Sequence, residues 1–437
     1  MVFQSSPAQS ATSQLDHLPV SMNQQQGLKV LFLTSSYPRS PEDTASAFLR
    51  YLAEHLAERG LEIHVLAPAD GTSGTLVEGK VTVHRFQYFL PHLQALAYGS
   101  GIMPNLKRSP WLWLQVPFFV LAMAYSLLRV IGRERIDLLH AHWILPQGLL
   151  GVVAKYLRHV PLVTTVHGAD AFTLRGGLAS ALKRFVVMHS DVWTTNTPAT
   201  SRAVDPAAIS PRVQVIPMGV DTDLFAGGDP AGLRQQLPGR EFLLLFVGRL
   251  VEKKGCHSLL QALSLLPHPL RDRTTLWIIG DGEQRSQLEQ TTKDLGLAEK
   301  VRFWGAISNQ CLPEFYAAAD LFVAPSIEAA SGDTEGQGVV LLEAFAGRAC
   351  VLTTRVGGIE AVVRDNVTGA LVPPNRPRDL ALAMEKLLDD PDLRARLVEN
   401  AFREVKERYD WKRIAGEFES LYRTLANRPR RHSNPQY

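Results

Sequence analysis

Residues 320–347, DLFVAPSIEAASGDTEGQGVVLLEAFAG, contain an apolar strand pattern, a glycine-rich loop and the start of a helical pattern. The strand pattern ends near Ser326, and the helical pattern begins near Val339. Glycines let a backbone approach a ligand closely, and the free amides at the start of a helix favour anions. This order of elements predicts one unit of a parallel sheet with a phosphate-binding loop at its edge.

The alternation of strand and helix patterns extends over most of the chain. Apolar runs that end in turn residues, as buried parallel strands do, occur at 28–38, 61–68, 80–86, 136–142, 161–168 and 190–196. After a pause at 213–225 the pattern restarts with FLLLFVGRL at 242–250. A chain of 437 residues exceeds the usual size of one hydrophobic core. The predicted fold class is therefore α/β, with two doubly wound, Rossmann-like domains whose parallel sheets face an interdomain cleft.

The composition also predicts where the domains end. Residues 1–26 are rich in Ser and Gln and show no signal-peptide pattern, so we expect a disordered tail. The expected domains are an N-terminal one at 27–215 and a C-terminal one at 216–410. We expect a helix at 411–428 to pack back on the N-terminal domain, followed by a tail at 429–437.

Charge and cysteine content narrow the possible partners and the compartment. The net charge of +3 is too small to suggest nucleic acid as a partner. Residues 27–215 hold 18 Lys and Arg against 12 Asp and Glu, which suits an anionic partner or an anionic membrane face, although ordinary surface variation explains it equally well. Cys256, Cys311 and Cys350 lie far apart without metal-ligand spacing, which favours a reducing compartment over a disulfide framework.

Residues 109–128 form an uncharged stretch with basic residues on both sides. Its length would suffice to span a bilayer, but Pro117 and the strand patterns before and after it oppose a span. A helix lying on the membrane surface and an ordinary core helix are the other two interpretations. Trp111 and Trp113 would anchor the surface helix.

Two glutamates flank the phosphate-binding loop. Glu335 lies in the loop, and Glu343 lies more than one turn inside the helix. A carboxylate and a phosphate are both negatively charged and repel each other, so the two glutamates cannot both bind the phosphate. We expect them to bind hydroxyl groups on either side of it. A phosphate between two hydroxyl-rich groups describes a nucleotide-sugar. Two glutamates on a solvated helix end are the alternative.

Cations and a histidine complete the predicted site. Arg249 and Lys254 follow the first strand of the C-terminal domain, where this pair would match a diphosphate and neutralise it as it departs. His167 ends a strand in TTVHGAD (164–170), and His140 and His142 are its rivals. The sequence shows no Ser/His/Asp or Cys/His nucleophile set, no Walker loop and no clustered metal ligands, which disfavours covalent hydrolysis and ATP chemistry.

Several motifs in this order resemble those of family four of the retaining glycosyltransferases, which have the GT-B fold. They are GRLVEKKG, the arrangement of Glu335 and Glu343, TVHGAD, PMGVDTDLF and IIGDGEQRSQL. The resemblance covers residues 28–425. YPRSPEDTASAF and HAHWILPQG are similar to the branch that builds exopolysaccharides and lipid-linked glycans.

The resemblance implies roles at the matching positions. Arg249 and Lys254 would hold the donor diphosphate in catalysis. Glu343 would bind the ribose hydroxyls, Glu335 the sugar hydroxyls, and His167 would lie against the donor sugar. The other positions implied to bind the donor are Gly280, Glu283, Ile307, Gly336, Gln337, Gly338, Val339 and Val340, and Gln337 is also a candidate for choosing the sugar.

The chain departs from the family at its first loop, where many members carry two glycines. Asp43 and Thr44 occupy those positions, and an acidic residue there would repel a phosphate. We therefore assign Asp43 and Thr44 to the acceptor, and Asp170, close behind His167, is a further acceptor candidate. The resemblance implies no metal and no cofactor, consistent with the lack of an Asp-x-Asp cluster at a strand end. It also implies that the diphosphate oxygen takes the acceptor proton, so that no protein nucleophile is required.

Together these observations predict a retaining enzyme that transfers a hexose-type sugar from a UDP- or GDP-linked donor. The acceptor would be a glycan or a lipid-linked glycan in cell-surface polysaccharide or glycolipid synthesis, at the cytoplasmic face of the membrane. The N-terminal domain would bind the acceptor and the C-terminal domain the donor. The alternatives are a synthase acting on a sugar phosphate, a GT-B epimerase, and an inactive glycan-binding protein of the same fold.

Overall fold

The computed structural model describes residues 27–40, 43, 46–99, 101–172, 176–237 and 242–427. The expected tails at 1–26 and 429–437, and the acceptor candidate Thr44, lie outside the described residues.

The first sheet has eight strands among the described residues, in the order β3-β4-β2-β1-β5-β6-β7-β8. They are β1 (Lys29–Leu33), β2 (Glu62–Pro68), β3 (Gly74–Glu78), β4 (Val81–Phe86), β5 (Leu138–His142), β6 (Leu162–Val166), β7 (Val192–Thr195) and β8 (Val213–Val215). All neighbouring pairs are parallel except β3 and β4. The sequence did not reveal β3, an antiparallel edge strand whose residues are almost all exposed.

The second sheet is fully parallel, in the order β11-β10-β9-β12-β13-β14. Its strands are β9 (Phe242–Val247), β10 (Thr274–Ile279), β11 (Val301–Gly305), β12 (Leu321–Ala324), β13 (Cys350–Thr354) and β14 (Ala370–Val372). Helices cover both faces of each sheet. Alternate residues of β9 enter different hydrophobic clusters on the two faces of the second sheet, and alternate residues of β1 do the same in the first sheet. This arrangement confirms the predicted α/β class with two doubly wound sheets.

The helices that precede β8 are α1 (Ala47–Glu58), α2 (Ile102–Arg108), α3 (Gln115–Glu134), α4 (Leu149–Arg158), α5 (Gly168–Phe172), α6 (Gly177–His189) and α7 (Pro198–Val204). We call them, with the first sheet, the first domain. The second domain adds α8 (Thr222–Ala226), α9 (Ala231–Arg234), α10 (Cys256–Leu265), α11 (His268–Asp272), α12 (Arg285–Asp294), α13 (Leu312–Ala318), α14 (Val339–Ala346), α15 (Pro377–Asp389) and α16 (Pro391–Arg408) to the second sheet. The last helix is α17 (Trp411–Ala426).

Helix α17 packs against α1 of the first domain. Its residues Phe418 and Tyr422 are fully buried, and the Tyr422 hydroxyl lies 2.6 Å from Nδ1 of His140. The chain passes between the two domains near Val220 and again near Tyr409. These two segments lie side by side, and the amide of Val220 donates to the carbonyl of Tyr409 at 2.8 Å. The final helix therefore joins the two domains a second time.

Helix α3 covers the first sheet with one face only. Phe119, Met123 and Leu127 follow each other at helical spacing and are buried. The opposite face exposes Leu121 and Tyr125, each about two-thirds accessible. The run Pro110–Glu134 is long and apolar enough to cross a membrane by length and composition, and a third of its most apolar window is buried. The contacts of α3 with β2, β4 and α4 make it a sheet-covering helix with an apolar outer face.

Candidate functional site

The strand orders determine where a ligand can bind. In the second sheet the chain reverses its direction of winding between β9 and β12, and in the first sheet between β1 and β5. Crevices at the carboxyl ends of strands at such points are the usual ligand sites of doubly wound sheets. Arg249 follows β9, Glu335 follows β12, and His167 follows β6, so the structure brings these three predicted residues to the facing edges of the two sheets.

Glu335 is buried and paired with a cation. Its Oε1 lies 2.8 Å from Nζ of Lys254, and the residue is 6% exposed. Burial raises the pKa of Glu335, but the positive charges of Lys254, Lys253 and Arg249 outweigh it and hold the pKa below its ordinary value. Glu335 is therefore a carboxylate at neutral pH, on the same edge as two cations predicted to bind phosphate.

Lys253 is a site residue that the sequence did not single out. Its Nζ lies 3.2 Å from Oδ1 of Asp333 and 3.4 Å from the carbonyl of Thr334, and the residue is buried. The amide of Ile327 donates to the Lys253 carbonyl at 2.8 Å. Lys253 thus holds the loop that carries Glu335 in place. Its side chain points to Asp333 and Thr334, whereas that of the neighbouring Lys254 points to Glu335.

Glu343 lies inside α14, and its carboxylate meets a tyrosine. The Tyr316 hydroxyl on α13 donates to Oε2 of Glu343 at 2.7 Å. Burial raises the pKa of Glu343 to about 7, although the Tyr316 hydrogen bond and the charge of Lys254 oppose the rise. Helix α14 begins after Gly338, whose φ of 76° lies in the region that favours glycine. Glu343 and Glu335 thus stand on either side of the helix start.

The loops of the two domains touch at a pair of glycines. A Cβ built on Gly168 would lie 2.5 Å from Cα of Gly336, and one built on Gly336 would lie 2.6 Å from Cα of Gly168. The Thr197 hydroxyl donates to the carbonyl of Gly336 at 2.8 Å. Only glycine permits so close an approach of the two backbones, so the loop of Glu335 rests directly on the start of α5, next to His167.

His167 is buried beneath this contact. Its ring centroid lies 5.1 Å from that of Trp143 and 5.0 Å from that of Phe48, and its Nε2 lies 3.4 Å from Nδ1 of His142. Burial lowers the pKa of His167 to about 3. The imidazole is therefore neutral at physiological pH and cannot supply a positive charge to a phosphate. His140, the other rival, is committed to Tyr422 and Thr165.

The side chains of Gln337, Val339 and Val340 are each engaged by other parts of the protein. Oε1 of Gln337 accepts from the Met218 amide at 2.8 Å, and Nε2 donates to the Met218 carbonyl at 2.9 Å. Val340 packs against a hydrophobic cluster of the second domain, whereas Val339 packs against a cluster of the first domain. The Gln337 side chain is thus occupied by the segment between the domains, so that Gln337 offers a ligand its backbone.

The remaining donor candidates lie at the same sheet edge. Gly280 directly follows β10, Glu283 is exposed in the next turn, and Ile307 is half-buried after β11. The Gly280 amide donates to the Gly305 carbonyl at 2.7 Å, which keeps the ends of β10 and β11 together. In the second sheet, β10 and β11 lie on one side of β9, which Arg249 follows, and β12 and β13 lie on the other side. The three donor candidates are therefore on the side of Arg249 that is away from β13.

The two described acceptor candidates have partners of their own. Oδ2 of Asp43 lies 2.6 Å from Nε of Arg39. Asp170 is buried, and its Oδ2 accepts from the amide of Ile144 at 2.7 Å. Burial raises the pKa of Asp170 to about 7 despite that hydrogen bond. Asp170 thus braces the turn after β5, where Trp143 has a φ of 73° that is rare outside glycine.

Comparison with known proteins identifies the family. The profile described as "Glycosyltransferase Family 4" matches residues 45–224, and the one described as "Glycosyl transferases group 1" matches 233–404. The D-inositol 3-phosphate glycosyltransferase of Acidothermus cellulolyticus is 31% identical over 411 residues, covering 88% of this chain and 86% of that protein. The chain belongs to glycosyltransferase family 4.

Solved structures agree with this assignment. Sucrose-phosphate synthase from Thermosynechococcus elongatus superposes with a TM-score of 0.75 at 22% identity, covering 91% of this chain and 99% of that one. Anabaena Alr3699/HepE in complex with UDP-glucose superposes with a TM-score of 0.68 at 22% identity, covering 91% and 100%. The predicted GT-B fold is confirmed, and this family 4 protein is a glycosyltransferase. Among its described residues there is no group of three or more His, Cys, Asp or Glu placed to hold a metal.

Proposed function

We propose that this glycosyltransferase is a retaining enzyme that moves a hexose-type sugar from a UDP- or GDP-linked donor to a glycan or lipid-linked acceptor in cell-surface polysaccharide or glycolipid synthesis. The observation that carries the proposal is the placement of Glu335 and Glu343 on either side of the start of α14, with Arg249 and Lys254 on the same edge. A helix start with nearby cations suits phosphates, and two flanking carboxylates suit hydroxyls.

The donor would bind with its diphosphate at the amides of residues 337–340. Lys254 and Arg249 would hold the phosphates, with Lys254 leaving Glu335 partly or wholly as the diphosphate arrives. Glu335 would then accept hydrogen bonds from sugar hydroxyls, while Glu343 would accept them from the ribose. Gly280, Glu283 and Ile307 would flank the base. The complex of Anabaena Alr3699/HepE with UDP-glucose supports a donor of this class.

The chemistry would depend on charge rather than on a protein nucleophile. As the bond from the sugar to the diphosphate breaks, negative charge builds on the leaving oxygen, where Arg249 and Lys254 would stabilise it. That oxygen would take the proton of the acceptor hydroxyl on the same face of the sugar. His167 is neutral and buried beside Gly168, so it would contact the sugar without adding charge.

An outer surface of the first domain supports a lipid-linked acceptor. We define the apolar face by Trp111, Trp113, Leu121, Tyr125, Tyr156 and Leu157, all at least half exposed on α3, α4 or the turn before α3. Lys107, Arg108 and Arg129 are exposed beside it. Aromatic rings with adjacent cations are suited to the interface of a bilayer that contains anionic lipids. The proposal therefore places the enzyme at the inner face of the membrane as a peripheral protein.

A soluble sugar phosphate is the second candidate acceptor, favoured by the name of the inositol 3-phosphate relative. Such an acceptor would need cations at the first domain's side of the cleft. Asp43, at the loop expected to meet the acceptor, is acidic and ion-paired with Arg39. The apolar face would have no role with this acceptor, so the two candidates differ in whether membranes affect the rate.

The proposal is tested by supplying a panel of UDP- and GDP-sugars with either lipid extract or sugar phosphates, and measuring release of nucleoside diphosphate. We expect release with one donor, stimulation by the lipid fraction, and a product whose anomeric configuration equals that of the donor. Glu335→Gln should abolish release, whereas Glu314→Gln, on the exposed side of α13, should keep it. Absence of release from every donor, or an inverted product, would contradict the proposal.

A further inference from the structure

Tyr316 is held rigidly under the carboxylate of Glu343. The residue is fully buried, and its ring makes edge or tilted contacts with Phe225 and Phe322 at centroid distances of 5.6 Å and 5.4 Å. On another side, a Cβ built on Gly347 would lie 2.5 Å from Cβ of Tyr316. A ring enclosed in this way has little freedom, so its hydroxyl is delivered to one point, Oε2 of Glu343, at 2.7 Å.

The two oxygens of Glu343 are therefore in different situations. Oε2 accepts the Tyr316 hydrogen bond, whereas no hydrogen bond to Oε1 occurs within the described ranges. The residue retains 8% exposure on the helix whose start faces the cleft. A carboxylate buried to this extent is stable only when hydrogen bonds or charges favour its ionised form. Tyr316 supplies one of these hydrogen bonds from a position that no ligand would displace.

We propose that Tyr316 is a positioning residue of the donor site, which fixes the Glu343 carboxylate so that its free oxygen meets a ribose diol. This inference rests on the proposed function, because it takes a nucleotide as the ligand. Tyr316 acts through Glu343 and touches no substrate itself. Its expected contribution is to affinity for the nucleotide, with little effect on the chemical step, since the ribose lies away from the reacting carbon.

The ionisation of Glu343 gives the inference a second readout. Burial raises its pKa to about 7, and Tyr316 and Lys254 are the groups that favour the carboxylate. Two acidic residues on other helices packed on α14, Glu404 of α16 and Asp223 of α8, are engaged in ion pairs with Arg364 and Lys412. Removing the Tyr316 hydroxyl should raise the pKa of Glu343 further, so that the carboxylate is lost at a higher pH.

Titration calorimetry with UDP, GDP and their 2′-deoxy counterparts tests the inference at pH 8 and pH 6. The wild type should prefer one ribonucleotide over its 2′-deoxy form by about tenfold at pH 8, and by less at pH 6. Tyr316→Phe should reduce the preference to about threefold at pH 8 and abolish it at pH 6. Tyr409→Phe removes another hydroxyl of the second domain, which donates to the Ala361 carbonyl, and should leave the preference unchanged.

The outcomes separate the inference from the function on which it rests. A wild type that binds no nucleotide contradicts both. If Glu343→Gln loses the ribose preference but Tyr316→Phe keeps the wild-type preference at both pH values, the role of Tyr316 alone is overturned. A Glu343→Gln protein that keeps the wild-type ribose preference also overturns it, because Tyr316 acts only through Glu343, and this measurement does not depend on the folding of Tyr316→Phe.

Discussion

Replacing Gly168 by alanine should separate the two domains at the cleft without unfolding either of them. The added Cβ would lie 2.5 Å from Cα and 2.7 Å from N of Gly336, where ordinary Cβ contacts begin at 3.4 Å. Both neighbouring atoms belong to the backbone, so no side chain can turn away, and the loops must part by about 1 Å. Misplacement of a reacting group by that distance costs on the order of 100-fold in rate.

The assay is kcat for nucleoside diphosphate release, together with the thermal midpoint of unfolding. We expect Gly168→Ala to lose about 100-fold in kcat with a midpoint close to that of the wild type, because each domain keeps its own sheet and core. Gly336→Ala, with its Cβ 2.6 Å from Cα of Gly168, should show the same defect. Gly177→Ala is the control, since no atom lies within 4 Å of its added Cβ. A Gly168→Ala enzyme with kcat within threefold of the wild type would refute the reasoning.

Three further predictions concern parts of the molecule around the site. Asp170 binds its proton more tightly in the folded state, with a pKa raised to about 7 from 3.8, so its stabilising effect is complete below pH 3.8 and is lost as the pH rises through 7. Asp170→Asn should flatten this part of the pH dependence of the free energy of unfolding, measured with urea between pH 5 and pH 8, and an unchanged slope would contradict it. The double variant Trp111→Ser, Trp113→Ser should bind vesicles of phosphatidylcholine and phosphatidylglycerol at least about tenfold more weakly than the wild type. The control Leu382→Ser changes an exposed leucine of the second domain and should bind as the wild type does. Equal partitioning of the wild type and both variants would exclude the membrane face. Lys253→Met should lower the free energy of unfolding by about 2 kcal/mol, because the part-buried carboxylate of Asp333 loses its charged hydrogen-bond partner, and a loss below about 0.5 kcal/mol would contradict that role.

The regular part of the fold was predictable because each parallel strand is buried on both faces. Such strands are short apolar runs with turn residues after them, and the runs at 28–38 and 242–250 contain β1 and β9. Strand β3 escaped prediction because nearly every residue of Gly74–Glu78 is exposed. An edge strand with little burial leaves no hydrophobic pattern in the sequence, and only its pairing with β4 identifies it.

The site was predictable where spacing along the chain determines position. Glu335 and Glu343 lie on one loop and the helix that follows, so eight residues of separation fix their arrangement. Tyr316 could not be found in this way, since an apolar helix position gives no sign of the carboxylate that it meets 27 residues later. Lys253 was not singled out because nothing in the sequence distinguishes it from Lys254, and only its contact with Asp333 in the folded chain shows its role.

The sequence could not predict the direction in which two candidate side chains point, those of Asp170 and Gln337. Asp170 follows strand β6 at the cleft, but its side chain accepts a hydrogen bond from the amide of Ile144, in the turn after the neighbouring strand β5. The Gln337 side chain is likewise held by the backbone of Met218, more than a hundred residues earlier in the chain. In both cases a buried backbone group needed a hydrogen-bond partner, and a nearby polar side chain supplied it.

The most direct test of the central claim is a crystal structure of the enzyme with its nucleotide-sugar donor. We expect the diphosphate at the amides of residues 337–340, with a Glu335 oxygen within about 3.2 Å of a sugar hydroxyl and a Glu343 oxygen within the same distance of a ribose hydroxyl. A donor bound elsewhere, or one in which Glu335 and Glu343 both lie beyond hydrogen-bonding distance of its hydroxyls, would contradict it.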